Sequence, residues 1–236
     1  MLNELDKELE RRGHPFVRYA DDSMIFCKSK RAARRVKESI TRFIEGNLYL
    51  KVNKEKTVVS YVRGVKYLGY SFYVMKGKCR LTVHSKSKSK MKLRLKELTN
   101  RSNGWGYVKR KQKLQDYIRG WIGYYHLADM KRFLLDTDEW LRRRIRMCIW
   151  KAWKKPKTKV ANLIKCGIEK YKAWEWGNTR KGYWRIADSP ILKVAINNDS
   201  LRKAGYYTLM GSYLEWHPKN RNRRMPNGTY GGVRGR

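Results

Sequence analysis

Residues 16–27 of this chain are Phe16-Val17-Arg18-Tyr19-Ala20-Asp21-Asp22-Ser23-Met24-Ile25-Phe26-Cys27. Two short apolar, β-prone runs flank the adjacent carboxylates of Asp21 and Asp22, which predicts a β-hairpin with both aspartates at its tip. Because neighbouring like charges repel, this arrangement favours a bound cation. Mg²⁺ prefers oxygen ligands and is often held by one or two carboxylates plus substrate phosphates. A solvated Asp-Asp turn is the common alternative for such a dipeptide.

The composition indicates a polyanionic partner. The 236 residues contain 57 Lys and Arg against 20 Asp and Glu, a formal net charge of +37. Such an excess destabilises a compact protein by self-repulsion unless a partner neutralises it. The sequence contains no apolar run long enough to span a membrane, and residues 1–30 contain no signal-peptide pattern. Anionic membranes also attract basic proteins, but the nine Trp favour nucleic acid, whose bases stack on aromatic rings. A basic soluble protein of ribosomal type is the alternative that charge alone allows.

The four cysteines, Cys27, Cys79, Cys148 and Cys166, are widely spaced and never form a C-x-x-C pair. This spacing argues against a zinc knuckle and predicts buried free thiols in a reducing compartment. The predicted location is therefore a cytoplasm of bacterial or organellar type.

The Tyr19-Ala20-Asp21-Asp22 tetrad resembles the catalytic hairpin of reverse transcriptases, and its alanine resembles the group II intron branch. Three further stretches occur in the order of that family. They are Leu50-Lys51-Val52-Asn53-Lys54-Glu55-Lys56-Thr57, Val65-Lys66-Tyr67-Leu68-Gly69-Tyr70-Ser71-Phe72 and the helical block 117–153. Together they cover most of the chain, which is similar to the C-terminal part of a group II intron-encoded reverse transcriptase/maturase.

The resemblance implies roles for several residues. Asp21 and Asp22 would be two of three carboxylates that hold two Mg²⁺ ions, with the third on an earlier palm strand that this chain does not contain. Lys56 matches a lysine thought to assist the leaving pyrophosphate, although a surface turn lysine is an equal alternative. Tyr67-Leu68-Gly69 matches the primer grip, where Gly69 would let the backbone approach the primer, or would mark a bulge.

Hydrophobic periodicity predicts an α+β chain. Strands are expected over 48–52, 57–62 and 66–73, and a hairpin turn over 75–78. A helix is expected to begin at Ser85, and another is expected to begin at Thr137-Asp138-Glu139 and to end at Pro156.

The resulting organisation has four parts. Residues 1–84 are expected to form the C-terminal half of a right-hand polymerase palm, made of antiparallel hairpins plus helix. Residues 85–165 would form the α-helical thumb, or maturase-specific X domain. Residues 166–216 would form a small, Trp/Tyr-rich nucleic-acid-binding module, and 217–236 a basic tail that is disordered until it meets RNA.

Phosphate contacts are predicted where basic side chains lack acidic neighbours. From Lys76 to Lys96 there are nine basic residues and no acidic one. In the helical block, arginines share a side separate from the apolar one and are expected to be exposed. The candidate nucleic-acid-binding residues are Lys86, Lys88, Lys90, Lys92, Arg94, Arg142, Arg143, Arg146, Lys151, Arg221, Arg223 and Arg224.

The complete enzyme would use Mg²⁺ and dNTPs for RNA-templated DNA synthesis on a template–primer duplex, and would bind intron RNA to assist splicing. This chain by itself is expected to be inactive as a polymerase, because one metal carboxylate and the fingers would have to come from a separate N-terminal half. The alternative is a non-catalytic RNA-binding protein that helps an intron to fold and splice.

Overall fold

A computed structural model describes residues 2–217 of the chain. These residues fall into two compact units, which we call unit 1 (up to His84) and unit 2 (from Ser85 onward). Helices together with two small antiparallel sheets confirm the predicted α+β class. The candidates Arg221, Arg223 and Arg224 lie outside the described residues.

Unit 1 combines two helices with two separate sheets. Its elements are α1 (Leu2–Arg11), β1 (Phe16–Tyr19), β2 (Asp22–Ile25), α2 (Lys30–Asn47), a 3₁₀ turn (Val62–Gly64), β3 (Lys66–Tyr67), β4 (Tyr70–Met75) and β5 (Lys78–Val83). Strands β1 and β2 form one sheet, and β3-β4-β5 form the other in sequence order.

In the part of unit 2 that the structure describes, every regular element is a helix. These are α3 (Ser85–Leu98), α4 (Tyr107–Tyr125), α5 (Lys131–Ala152), α6 (Pro156–Lys165), α7 (Lys170–Gly177), α8 (Tyr183–Ile186), α9 (Pro190–Ala195), α10 (Asn198–Lys203) and α11 (Leu209–Glu215). The predicted helix start at Ser85 is confirmed, and Met91 and Leu95 are fully buried on its inner face.

The strands predicted over 48–52 and 57–62 are wrong. Leu48 and Leu50 instead contribute to the core of unit 1, where they join a cluster built on Leu5, Leu9 and Ile40 from α1 and α2. The short alternation of apolar residues therefore reflects packing beneath two helices, not strand pairing.

The strand predicted over 66–73 is interrupted by a tight turn. Tyr67 pairs with Tyr70, so that Leu68 and Gly69 form a two-residue loop between β3 and β4. Both residues have positive φ, 49° at Leu68 and 80° at Gly69. Positive φ at both central residues is what a type I′ turn requires, and this turn type fits the right-handed twist of a hairpin. Gly69 is thus neither inside a strand nor at a bulge. The turn predicted at 75–78 is confirmed by the pairing of Met75 with Lys78.

The helix start predicted at Thr137-Asp138-Glu139 is wrong, because α5 begins at Lys131 and continues through these residues. Asp138 is buried, and its carboxylate accepts hydrogen bonds from the backbone N–H groups of Leu209 (2.8 Å) and Met210 (2.9 Å). It therefore helps to cap the first turn of α11, 71 residues further along the chain. Pro156 does not end α5; it opens α6, where a missing N–H is tolerated.

Arginines of α5 bind the carbonyl groups at other helix ends. Arg144 donates to the carbonyls of Lys96 (3.0 Å) and Thr99 (3.1 Å), where α3 ends. Arg146 donates to the carbonyl of Ile196 (2.8 Å), the residue that caps α9. A cation at a helix C-terminus satisfies free carbonyls and complements the helix dipole. Helix α5 is therefore the centre around which unit 2 is assembled.

Two further expectations concern thiols and membranes. Within residues 2–217 all four cysteines are free; Cys148 is buried as predicted, whereas Cys79 and Cys166 are exposed. Over the same residues, none of the helices has the length and apolar character needed to cross a lipid bilayer.

Candidate catalytic hairpin and nucleic-acid interface

The hairpin predicted at residues 16–27 is present, with Ala20 and Asp21 as its two-residue loop. Tyr19 pairs with Asp22, so that Asp22 is the first residue of β2. Both aspartates and Tyr19 are exposed. Ala20 has a φ of 53°, a left-handed conformation that costs an L-residue about 1–2 kcal/mol. The hairpin thus presents two adjacent carboxylates at a turn that needs support from its surroundings.

Arg18 supplies that support. Its guanidinium Nη1 donates to the Ala20 carbonyl at 3.0 Å, across the turn. Its Nε donates to Oδ1 of Asp6 at 2.7 Å, and its Nη2 donates to Oδ2 of the same carboxylate. This two-bond pairing, the strongest geometry for an arginine and a carboxylate, lowers the pKa of Asp6 below its usual value. Helix α1 is thereby tied to the loop that holds the aspartates.

Tyr67 brings the second sheet of unit 1 to the same hairpin. Its hydroxyl donates a long hydrogen bond, 3.5 Å, to the carbonyl of Asp22. Partial burial and then the negative charge of Asp22 raise the pKa of Tyr67. Of the three predicted primer-grip residues, Tyr67 therefore contacts the aspartate hairpin, while Leu68 and Gly69 form the adjoining turn.

The carboxylates of Asp21 and Asp22 are hard oxygen donors of the kind Mg²⁺ prefers, and their exposure leaves room for water and phosphate ligands. They fit part of a two-metal site. Among residues 2–217, no group of three His, Cys, Asp or Glu side chains is arranged to hold a metal ion.

Lys56 lies in a turn over residues 54–56. Its backbone N–H donates to Oδ1 of Asn53 at 3.1 Å, and its side chain is exposed. Within the described residues, no bond joins Lys56 to either aspartate of the hairpin.

The basic residues of α3 differ in their surroundings. Lys88 and Lys92 place their ammonium groups 5.3 and 5.6 Å from the ring centre of Phe133, and partial burial lowers the pKa of Lys88. Lys86 and Lys90 are exposed on the surface of the helix. Arg94 is also exposed and pairs with Glu97 at 2.7 Å.

The expected exposure of the α5 arginines is wrong for Arg146, which is only 7% exposed and has its guanidinium bound within the protein. Arg143 lies 4.0 Å from the ring centre of Trp184 and 3.2 Å from the Asp188 carboxylate. Arg142 and Lys151 are half-buried. Arg143 and Arg146 therefore stabilise the helix assembly, because a neighbouring ring and neighbouring backbone carbonyls bind their guanidinium groups.

Sequence reasoning missed two features of these surfaces. The first is the Arg18–Asp6 pair, which no spacing rule indicates, since its members lie in different elements. The second is the exposure of Tyr171 and Trp174 on α7, at 81% and 65%. The density of Trp and Tyr after residue 170 was the available signal, but it does not distinguish buried rings from exposed ones.

Each unit contains a stretch that matches a known family. Residues 1–72 match the family described as reverse transcriptase (RNA-dependent DNA polymerase). Residues 88–167 match the group II intron, maturase-specific domain. No curated protein is similar enough to the chain to count as a match. The two matched regions follow one another in the order expected of a reverse transcriptase with a splicing-related maturase domain. The chain therefore belongs to the group II intron reverse transcriptase/maturases.

Proposed function

We propose that unit 2 binds intron RNA through the exposed basic side chains of α3, and that Asp21 and Asp22 hold Mg²⁺ in a polymerase site. The observation that supports the RNA role best is the surface of α3. Lys90 is exposed, and among residues 2–217 it has no ion-pair or cation–π partner. A helix side that carries cations without acidic neighbours favours phosphates.

Binding by this surface is electrostatic, and it therefore depends on salt. The slope of log K against log salt is about −0.9 for each duplex phosphate neutralised. Lys90→Glu should weaken RNA binding and make the slope less steep. Lys7→Glu is the matched control, because Lys7 is exposed in unit 1 and pairs with Glu4 at 3.1 Å. A flat salt dependence, or equal losses from both substitutions, would contradict the proposed RNA surface.

The proposed catalytic role rests on the hairpin geometry and on the family match. When bound, the metal ions would activate the primer hydroxyl and neutralise charge on the leaving group. The chain itself would position the two carboxylates through the braced turn at Ala20, and Tyr67 would hold the adjoining sheet against the hairpin. The domain limits 1–84, 85–165, 166–216 and 217–236 remain part of this proposal.

Primer extension on an RNA template separates the polymerase role from the splicing-factor alternative. The chain alone should not extend a primer, because the resemblance implies a third carboxylate and fingers supplied by a further segment. Addition of that segment, fused or as a second chain, should restore Mg²⁺-dependent synthesis, which Asp21→Ala should then abolish. Primer extension that persists in Asp21→Ala would show that the hairpin is not part of the active site. RNA binding with no synthesis in any combination would favour the splicing factor.

A further inference from the structure

Helices α6 and α7 form a tightly joined hairpin at the end of the maturase-specific match. At the end of α6, the N–H of Gly167 donates to the carbonyl of Ile164 (2.9 Å) and that of Ile168 to the carbonyl of Leu163 (3.1 Å). Gly167 has a φ of 83°. This is the Schellman arrangement, and the buried Leu163 and Ile168 supply its hydrophobic contact. The turn fixes the direction in which α7 leaves α6.

One side of α7 packs against α6 at close range. Ala173 and Gly177, one helical turn apart, are buried. A Cβ atom built on Gly177 would lie 3.3 Å from the backbone nitrogen of Val160 and would clash with the Val160 side chain. Only a glycine permits this approach, so that the orientation of α7 about its own axis is fixed.

The solvent-exposed surface of α7 carries two large aromatic rings. Tyr171 is 81% and Trp174 65% exposed, and three-residue spacing puts them on the same side of the helix. Neither ring contacts another ring or cation among residues 2–217, whereas Trp184 is covered by Arg143 at 4.0 Å and Trp176 by Lys181 at 4.9 Å. Two exposed rings next to each other on one helix form an apolar patch of the kind that marks a binding site.

The surroundings of the two rings are strongly basic. Residues 151–185 contain eleven Lys and Arg against two Glu, and the exposed side chains next to α7 include Lys165, Lys170 and Lys172. Lys172 pairs with Glu169 at 2.8 Å. Because the segment has only two Glu, most of its positive charges remain uncompensated. A second copy of a chain with a net charge of +37 would be repelled from this surface.

We propose that Tyr171 and Trp174 form a stacking site for unpaired bases of RNA. The inference rests on the proposed RNA-binding function and adds to it a surface that lies beyond the matched residues 88–167. Unpaired bases stack on aromatic side chains while nearby cations hold the phosphate backbone. Bases within a duplex are already stacked on each other, so this site selects single-stranded loops and bulges.

The test uses the full chain and three probes: a short oligouridylate, an abasic oligomer with the same number of phosphates, and an RNA duplex. The double substitution Tyr171→Ala/Trp174→Ala should weaken oligouridylate binding by about fivefold or more for each ring lost. Binding of the abasic oligomer and the duplex should not change, nor should the salt slope, because no phosphate contact is removed. Tyr171→Phe/Trp174→Phe, which keeps both rings, should bind oligouridylate nearly as well as the unaltered chain.

Tyr61→Ala is the matched control, since Tyr61 is 78% exposed but lies in unit 1, and it should leave all three affinities unchanged. Halogenated uracil in the oligomer should crosslink to Tyr171 or Trp174. Unchanged oligouridylate binding by the double alanine variant, or an equal loss on the abasic oligomer, would overturn the stacking site alone. Failure of the unaltered chain to bind any of the probes would overturn the proposed function as well. Altered self-association with unchanged RNA binding would show that the rings bind a second copy.

Discussion

Arg18 bonds the Asp6 carboxylate with two nitrogens and the Ala20 carbonyl with a third, and so joins the first helix to the turn between the strands of the aspartate hairpin. The turn residue itself is held in a left-handed conformation. A charged side chain that binds both an acidic group and a strained carbonyl compensates for the unfavourable conformation.

Loss of the Asp6 carboxylate should therefore destabilise unit 1. Asp6→Asn removes the charge and one acceptor of the pair, and its unfolding midpoint in urea should decrease. Asp21→Asn removes the same charge from an exposed side chain that makes no bond within the described residues, and should leave the midpoint unchanged or raise it by relieving repulsion from Asp22. Equal decreases for both would show that net charge, and not the pair, is responsible.

Acid should act on the same region in a defined pH range. Hydrogen bonds from Arg11 and Arg12 lower the pKa of Glu8 to about 2, and the pKa of Asp6 is also lowered. A lowered pKa means that the contribution to stability is complete above the unfolded value, near 4.5 for Glu8, and is lost as the pH falls toward 2. Urea unfolding between these pH values should show that the free energy of unfolding of the unaltered chain decreases as the pH falls. The decrease should be smaller in Glu8→Gln.

Asp138 should be essential for the docking of α11. Removal of a charged acceptor of two backbone N–H groups should lower the free energy of unfolding by about 2–4 kcal/mol in Asp138→Ala. Asp136→Ala is the control, because Asp136 is exposed in the same helix. Burial raises the pKa of Asp138, so ionisation of Asp138 makes folding less favourable as the pH rises through the raised value. That trend with pH should disappear in the alanine variant.

Two buried tyrosines provide a comparison of bonded and unbonded hydroxyl groups. The Tyr213 hydroxyl donates to the Ala128 carbonyl at 3.0 Å, whereas the buried Tyr206 hydroxyl finds no hydrogen-bond partner among residues 2–217. Tyr213→Phe should lower the free energy of unfolding by about 1 kcal/mol, and Tyr206→Phe should leave it unchanged or increase it. Equal losses in chemical denaturation would indicate a partner for Tyr206 that the structure does not show.

Arg146 should contribute to the stability of the protein and not to RNA binding. Arg146→Met leaves the Ile196 carbonyl unsatisfied, which should lower the free energy of unfolding by about 1–3 kcal/mol. The RNA affinity of the folded variant should stay within about twofold of the unaltered chain, since the guanidinium is buried. Filter binding well below the melting temperature measures this affinity. A tenfold loss of affinity there would show that Arg146 contacts RNA.

Local sequence determined the elements whose signals lie within a few residues. The hairpin with Asp21 and Asp22 at its end follows from two β-prone runs around a polar turn, and α3 follows from the spacing of Met91 and Leu95. The order of the motifs was sufficient to recognise the family. These features need no distant partner, because backbone pairing and helical periodicity act over short separations.

The tertiary structure alone decided which polar groups are available for function. Asp138 looked like a helix start and Arg146 like an exposed phosphate ligand, yet each binds the end of a helix formed by residues 50 or more positions away. Conversely, Tyr171 and Trp174 stay exposed because α7 packs on α6 through Ala173 and Gly177, and Gly177 approaches Val160 closely. The physical reason is that free N–H and C=O groups at helix ends, and close helix contacts, acquire partners only when distant segments pack together.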